Sequence, residues 1–401
     1  MAALIALGIS CLVGFGSAGL GQGSVAVTCG AEHVCAEHGA GVAEGQGLDR
    51  EDSLSLLARG VVSAPSGLST LGTRATLASL SMEEAAAGLQ RGSSGGGSTR
   101  FRRGTWRSLQ PVPVNSSALG VEDVSAARVK TNIVLALGFE FQSAVATTRI
   151  YNVRTGTWRI GRDAPAPNYA SAAVGLGSFY YAIGGFEVPT AFGLYSPRLD
   201  VWRELPDLPT GRSYSAAAVV GKFIYAIGGE IDFPNGEYNV SAVVERYDVK
   251  RKEWSEMAPL PQGLTGLRAE SFGSKIFVFG GEILFLEPFG IVQVYDTEQN
   301  SWSTNAATMP TPRSYMFVGR AGRLIYIIGG WGVGEQFNAS VSSKVEAYDP
   351  HTDEWETDLA AFKTPRAFGG AASYLDRIYT FGGAQVVDFS MPLDTSEVFK
   401  P

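Results

Sequence analysis

Short apolar runs that end at a pair of glycines recur along the chain from residue 104 onward. Examples are Phe223–Ile227, Ile276–Phe279 and Leu324–Ile328, each rich in β-branched and aromatic residues. Runs of this length and composition are typical of buried β-strands. The glycines that follow them indicate tight turns, whose backbone angles other residues rarely adopt. The pattern therefore predicts an all-β architecture for this part of the chain.

Tryptophan recurs in phase with the glycine pairs, at intervals of 44–53 residues. A tyrosine lies seven residues before each tryptophan from Trp158 onward. The pairs are Tyr151/Trp158, Tyr195/Trp202, Tyr247/Trp254, Tyr295/Trp302 and Tyr348/Trp355. The glycine pairs are Gly184-Gly185, Gly228-Gly229, Gly280-Gly281, Gly329-Gly330 and Gly382-Gly383, with a degenerate version at Gly138-Phe139. A period of this length predicts repeats of four strands, a to d, with the tryptophan packing between neighbouring repeats.

This combination of Gly-Gly, tyrosine and tryptophan resembles the Kelch repeat, and the resemblance covers residues 104–401. It implies a six-bladed β-propeller. The WD40 alternative fails because the sequence contains no Trp-Asp dipeptide. The chain ends at Glu397–Pro401, which matches Glu346–Pro350, so the last repeat lacks a tryptophan strand of its own. We expect the strand around Trp106 to complete that blade and to leave no open sheet edge.

The first hundred residues have a different composition, dominated by glycine, alanine and serine. Residues 1–20 contain the apolar core and small residues of a possible signal peptide, although the first cationic residue is Arg50. Residues 21–103 are predicted to be low-complexity and largely disordered. Both a secreted and a cytoplasmic location are compatible with these features.

Charge and metal-ligand content exclude several function classes. The formal net charge of −7 does not indicate the positively charged surface that nucleic-acid binding requires. The cysteines are Cys11, Cys29 and Cys35, and His351 is the only histidine after residue 38. The propeller therefore lacks the ligands of a typical transition-metal site, which excludes a copper oxidase of this fold. We expect neither a metal nor a cofactor there.

One loop varies in length over an otherwise constant repeat. The interval from the glycine pair to the tyrosine ranges from 11 to 19 residues, and it spans the loop between strands b and c. Loops that vary on a fixed scaffold often carry binding specificity. The candidate binding aromatics in these b–c loops are Phe233, Phe285, Phe289 and Trp331. Alternatively, these side chains fold back over the blades as small cores.

An arginine lies sixteen residues before the glycine pair in three repeats, at Arg212, Arg313 and Arg366. The other repeats have Asn168, Leu264 and Glu122 at this spacing. By its resemblance to Kelch proteins, this position lies near the mouth of the central channel and can bind acidic residues of a partner. The alternative is a hydrogen bond that stabilises a loop. Three glutamates that follow glycine pairs are predicted to pair with these arginines or to line the channel: Glu140, Glu230 and Glu282.

These features favour a non-enzymatic interaction module, a monomeric propeller that binds a protein partner through its b–c loop face. One alternative is a sugar mutarotase that uses Glu and Arg side chains in the central channel. Another is a substrate adaptor of a ubiquitin ligase.

Overall fold

The computed structural model describes residues 104–140, 142–232, 238–284, 287–333, 339–385 and 392–401. The predicted signal peptide (1–20) and low-complexity region (21–103) lie outside the described residues. Every regular element in the described ranges is a β-strand. Among these residues, no helix is long and apolar enough to span a membrane. In the same ranges, no group of three or more His, Cys, Asp or Glu side chains could hold a metal ion.

Six four-stranded antiparallel sheets make up the described residues, and each sheet is one blade. The chain enters through β1 (Thr105–Ser108). Blade 1 follows with β2 (Ser125–Val129), β3 (Asn132–Ala136), β4 (Phe139–Glu140), β5 (Ser143–Ala144), β6 (Thr148–Asn152) and β7 (Thr157–Ile160). Blade 2 has β8 (Ala172–Leu176), β9 (Phe179–Ile183), β10 (Phe192–Ser196) and β11 (Val201–Glu204). Blade 3 has β12 (Ala216–Val220), β13 (Phe223–Ile227), β14 (Glu230–Asp232), β15 (Tyr238–Val240), β16 (Val244–Asp248) and β17 (Glu253–Met257).

The second half of the ring repeats this order. Blade 4 has β18 (Arg268–Phe272), β19 (Lys275–Phe279), β20 (Val292–Asp296) and β21 (Ser301–Ser303). Blade 5 has β22 (Phe317–Ala321), β23 (Leu324–Ile328), β24 (Trp331–Val333), β25 (Ala339–Val341), β26 (Val345–Asp349) and β27 (Glu354–Glu356). Blade 6 has β28 (Gly370–Tyr374), β29 (Arg377–Phe381) and β30 (Ser396–Lys400). The a strands of neighbouring blades contact one another around a central channel. The b–c loops of blades 1, 3 and 5 carry the short hairpins β4–β5, β14–β15 and β24–β25.

The first strand closes the ring, as the sequence predicts. β1 pairs with β30 on the edge of blade 6, and Trp106 lies opposite Phe399. The indole ring of Trp106 packs 4.9 Å from the ring of Phe399 and 4.8 Å from that of Phe362. Its Nε1 donates a hydrogen bond to the carbonyl of Ala360 at 3.0 Å. Blade 6 is therefore complete. Its outer strand comes from the N-terminal end of the propeller sequence, and its other three strands come from the C-terminal end.

The tyrosine–tryptophan pairs belong to the scaffold. In each of the five pairs the two residues lie opposite each other on strands c and d, as in Tyr247 and Trp254, whose rings are 5.1 Å apart. The Trp254 indole N–H donates to the carbonyl of Pro206 in the loop that precedes the blade, and the other tryptophans make equivalent bonds. These contacts fix each blade to its incoming loop, and they agree with the prediction that the tryptophans have a packing role.

Candidate binding face

The glycine pairs position the residues at one end of the channel. Both glycines of a pair have positive φ, for example 60° at Gly228 and 98° at Gly229. In each blade the N–H of the second glycine donates to a backbone carbonyl of the next blade. The accepting residue is the one that is arginine in three of the six repeats. In blade 1 these features belong to Leu137 (φ 65°) and Gly138 (φ 115°). The assignment of Gly138-Phe139 as this pair was wrong by one residue, because a leucine here adopts the left-handed conformation. Val121, and not Glu122, therefore corresponds to the arginines.

Six residues just before the a strands form a closed ring of backbone hydrogen bonds, which we call the collar. Each collar N–H donates to the collar carbonyl of the preceding blade, over 2.6–3.2 Å. All six residues have φ between 49° and 65°. In blade order they are Asp123, Ala170, Tyr214, Gly266, Tyr315 and Phe368. Since it joins every blade to its neighbours, the collar closes the ring on the inside, on the b–c loop face.

Three aromatic rings fill the collar. The ring of Tyr315 stacks on that of Phe368 at 4.3 Å and meets the edge of Tyr214 at 5.4 Å. Tyr315 lies directly over Gly266, where an added Cβ would meet ring atoms at 2.8–3.0 Å. Tyr315 and Phe368 are each 5% exposed. The rings therefore obstruct the channel on this face, and a cavity of about 120 Å³ lies behind them, lined mainly by alanine, serine and glycine.

Two further positions in each blade surround the collar: the residue that precedes the collar residue and the residue that follows the second glycine. We call these positions together with the collar the mouth. Besides the collar, the mouth contains Glu122, Tyr169, Ser213, Thr265, Ser314 and Ala367, and then Phe139, Phe186, Glu230, Glu282, Trp331 and Ala384. Backbone bridges join the two positions in five blades, for instance Ser314 with Trp331. The mouth therefore combines residues from the b–c loops with residues from the loops that lead into strand a.

Half-buried aromatic side chains line two sides of the mouth. On blades 1 and 2, Tyr169 packs between Phe139 at 5.1 Å and Phe186 at 4.9 Å. On blade 5, Trp331 meets the edge of Phe368 at 6.1 Å. Apart from the buried Phe368, these side chains and that of Tyr214 are neither fully buried nor fully exposed. A partner that docks on this face would therefore meet a largely aromatic surface.

Carboxyl groups lie between these aromatic sides. Asp123 accepts a hydrogen bond from the Tyr214 hydroxyl at 3.0 Å. Burial raises the pKa of Asp123 to about 7; the Tyr214 bond and Arg268 oppose this rise, and Glu230 adds to it. Glu230 accepts from the Thr265 hydroxyl at 2.9 Å, and Glu282 accepts from the Ser314 hydroxyl at 2.6 Å. The mouth thus concentrates acidic groups in partly desolvated surroundings.

The three predicted arginines lie inside the blades. The guanidinium of Arg313 is fully buried, donates to the carbonyls of Gly329 and Lys344, and pairs with Glu346 at 2.5 Å. Burial lowers its pKa despite this pairing. Arg212 pairs with Glu245 and Arg366 with Glu397 in the same way. In each of these three blades, a threonine two residues before the arginine donates a hydrogen bond to the carboxylate that pairs with the arginine. This arrangement favours the loop-stabilising alternative, because the donors are used within the blade.

Of the two alternatives for Glu140, Glu230 and Glu282, the pairing with these arginines is wrong, and the position along the channel stays a prediction. Glu140 forms an ion pair with Arg149 in strand c of its own blade, and Glu230 and Glu282 accept from hydroxyl groups. The true partners are glutamates two residues before the aromatic residue of strand c. The repeats that carry the arginine are those that carry this glutamate, at Glu245, Glu346 and Glu397. That co-occurrence is visible in the sequence and would have identified the pairs.

The aromatic candidates have different positions. Trp331 lies at the mouth, as described above. Phe289 is partly buried against the core cluster of blades 3 and 4, in agreement with the alternative that these side chains fold back. Phe233 and Phe285 lie outside the described residues. The sequence interpretation did not single out Tyr169, Tyr214, Tyr315 or Phe368, which precede strand a rather than follow strand b.

Comparison with known proteins assigns the repeat. Residues 213–399 match the family model described as the KLHDC2/KLHL20/DRC7 Kelch-repeats domain. The ring is a Kelch-repeat propeller. Alpha-scruin of Limulus polyphemus is 30% identical over 170 residues, which cover 41% of this chain and 18% of scruin. Human Kelch-like protein 38 is 26% identical over 246 residues, which cover 60% of this chain and 40% of that protein. This chain thus matches less than half the length of these relatives. Kelch propellers of this kind generally mediate protein–protein interaction.

A solved structure supports the fold. The structure titled "Structure of YjhT" aligns with a TM-score of 0.61, covering 72% of this chain and 95% of that chain. The two sequences are 17% identical, so this likeness concerns the fold alone.

Proposed function

We propose that this chain is a non-enzymatic interaction module that binds a protein partner at the mouth on the b–c loop face of its propeller. The observation that carries this proposal is the half-buried aromatic side chains on two sides of the mouth, in particular Tyr169, Phe186 and Trp331. Aromatic side chains that are held in place but still reach solvent are typical of the residues that dominate binding energy at protein interfaces.

The closed collar supports this proposal over the enzyme alternative. A sugar mutarotase of this fold would have to admit its substrate to Glu and Arg side chains in the channel. On the b–c loop face, that path is filled by the rings of Tyr214, Tyr315 and Phe368. A flat partner surface can use this arrangement directly, whereas a sugar would need the rings to move. A role as ubiquitin-ligase adaptor is a special form of the interaction proposal, and it predicts a ligase subunit among the partners.

Affinity capture with matched variants tests the proposed face. The full chain, its Phe186→Ala and Trp331→Ala variants and a Phe179→Ala control are used as baits, and the captured proteins are quantified by mass spectrometry. Phe179 is a suitable control because it belongs to the same blade as Phe186, is 37% exposed and lies at the opposite end of strand b. Circular dichroism spectra first show that all four chains are folded.

The proposal expects proteins that wild type and Phe179→Ala retain and that both mouth variants lose. Capture that is unchanged in Phe186→Ala and Trp331→Ala would refute the mouth as the binding site. Turnover of reducing sugars between anomers, measured with the same preparations, would favour the enzyme alternative.

A further inference from the structure

We infer that the partner presents a lysine or arginine side chain to the mouth, so that a basic segment binds there. This inference rests on the proposed function, since it specifies the chemistry of the partner at the same face. It follows from three properties of the described residues: the composition of the mouth, the distribution of charge between the two faces of the ring, and the burial of the arginines.

The mouth has the composition of a cation-binding surface. Of its residues, seven are aromatic, four are acidic and none is lysine or arginine. Aromatic faces attract cations through their quadrupole, and the attraction grows when water is excluded. Carboxylates form charge-assisted hydrogen bonds with guanidinium and ammonium groups. An acidic or phosphorylated segment would be repelled by the four carboxyl groups.

The carboxyl groups lie next to the aromatic rings. The hydroxyl of Tyr214 bonds to Asp123, and Tyr214 in turn packs against Tyr315. Glu282 accepts from Ser314, whose backbone is bridged to that of Trp331. A cationic head group that reaches Asp123 would therefore lie beside the Tyr214 ring, and one that reaches Glu282 would lie in the blade next to the one that carries Trp331. This adjacency distinguishes the mouth from a general excess of surface acid.

The b–c loops extend the negative charge beyond the mouth. Their described parts contain Glu140, Glu187, Glu230, Glu282, Glu287 and Asp394, against the single cation Lys344. Arg149 neutralises Glu140, which leaves the sign of the face unchanged. Glu187 and Glu287 are exposed, so they can interact with a partner as it approaches.

The opposite face has the reverse sign. Its a–b and c–d turns carry eight exposed cations: Lys130, Arg154, Arg198, Lys222, Lys250, Arg251, Lys252 and Arg323. The acidic residues in the same turns are Asp200, Glu298, Asp353 and Asp376, and two of the cations, Lys222 and Arg323, pair with Asp248 and Asp349 at the ends of strand c. The two ends of the ring thus differ in charge, which would orient a basic partner toward the b–c loop face during its approach.

The arginines that could attract an acidic partner are not available on this face. Arg212, Arg313 and Arg366 are each fully buried and paired with a glutamate. Each pair carries no net charge as seen from the surface. None of the mouth residues is therefore a cation that a carboxylate could meet; the nearby Arg268, which opposes the rise in the Asp123 pKa, lines the cavity behind the collar.

A peptide selection tests this inference without knowledge of the natural partner. A phage library of random twelve-residue peptides is panned against the full chain, and the enriched peptides are sequenced. Synthetic copies of three enriched peptides, and versions with every lysine and arginine replaced by glutamine, are titrated against wild type and variants. The chain variants are Phe186→Ala and Trp331→Ala with the control Phe179→Ala, and a Glu187→Gln/Glu287→Gln pair with the control Asp376→Asn. Asp376 is an exposed carboxylate in an a–b turn of the opposite face.

The inference expects enrichment of lysine and arginine and at least about tenfold weaker binding after their replacement by glutamine. Phe186→Ala and Trp331→Ala should weaken binding about tenfold, the typical effect of losing an interface aromatic. Glu187→Gln/Glu287→Gln should slow association about two- to fivefold at low salt, and high salt should remove the difference. Both controls should bind as wild type does.

The other outcomes separate the two proposals. Neutral or acidic peptides whose binding is lost in Phe186→Ala and Trp331→Ala would overturn the basic-partner inference and leave the proposed face intact. Basic peptides that bind Phe186→Ala and Trp331→Ala as well as wild type would overturn both. A selection with no enrichment would also count against the mouth as a peptide-binding surface.

Discussion

Replacing Arg313 by alanine removes the group that ties the start of strand a to strands b and c in blade 5. In the folded protein the guanidinium donates to Gly329 and Lys344 and pairs with Glu346, and all of this occurs at zero exposure. In the variant, the carboxylate of Glu346, which is 2% exposed, keeps its hydrogen bond from the Thr311 hydroxyl but loses its cation. Breaking a buried ion pair by removing one partner typically costs about 3–5 kcal/mol. We expect a loss of stability of this size.

Thermal and urea unfolding, followed by circular dichroism, measure the effect. At about 2 °C per kcal/mol for a domain of this size, the midpoint should fall by roughly 6–10 °C. A double variant, Arg313→Met with Glu346→Leu, removes both charges and fills the space. It should recover much of the loss, because apolar replacement of a buried pair is often neutral.

An Arg313→Ala variant within about 1 kcal/mol of wild type that nonetheless loses its captured partners would refute this reasoning. The arginine would then act as a binding residue. The same comparison applies to Arg212, whose contacts are equivalent, and to Arg366, which pairs with Glu397 and donates to Gly382 and Thr380.

Three further predictions concern ring closure, the collar and pH. Trp106→Ala should cost about 2–3 kcal/mol in urea unfolding, because a half-buried ring loses less than the 3–5 kcal/mol typical of a buried one. Gly266→Ala should cost about 2 kcal/mol or more, since it adds a Cβ at φ 65° beneath the Tyr315 ring; a Gly266→Ala/Tyr315→Ala double variant that shows no coupling would contradict this. Burial raises the pKa of Asp123 to about 7, so the stability linked to it is present below about pH 4 and is lost as the pH rises through 7. Asp123→Asn should therefore gain stability relative to wild type between pH 4 and pH 8, by at most about 4 kcal/mol in parallel urea titrations, and a constant difference would refute the shift.

The blade architecture could be predicted because its signals recur in phase. Tryptophan, tyrosine and the glycine pair each mark a fixed point of the blade, so an error in one repeat is corrected by the others. Blade 1 shows the limit of this approach. Leu137 adopts the left-handed angles that glycine has elsewhere, and the residue type alone does not reveal it. As a consequence, Glu122 was predicted to correspond to the arginines in that blade, whereas Val121, one residue earlier, has that position.

The mouth that we propose as the binding face was predicted in part, and the half that was missed has a structural reason. Binding residues were predicted in the b–c loops because the lengths of these loops vary, and Trp331 does lie at the mouth. The loop into strand a has a nearly constant length, so variation gave no reason to consider it. Yet strand a begins at the same end of the blade at which strand b finishes, since the two are antiparallel. Both loops therefore reach one face, and Tyr214, Tyr315 and Phe368 follow the arginines by two residues in three repeats.

The charge of the face depends on the same topology. Counted along the chain, acidic and basic residues are interspersed and give a modest net charge of −7. A propeller, however, gathers every b–c loop at one end and every a–b turn at the other. Charge that alternates along the sequence thus becomes separated in space by about the length of a blade strand, which exceeds the screening length of roughly 8 Å at physiological salt. A partner at the proposed site would therefore respond to the acidic end and only weakly to the basic one, so the net charge of the chain is a poor guide to the charge of such a partner.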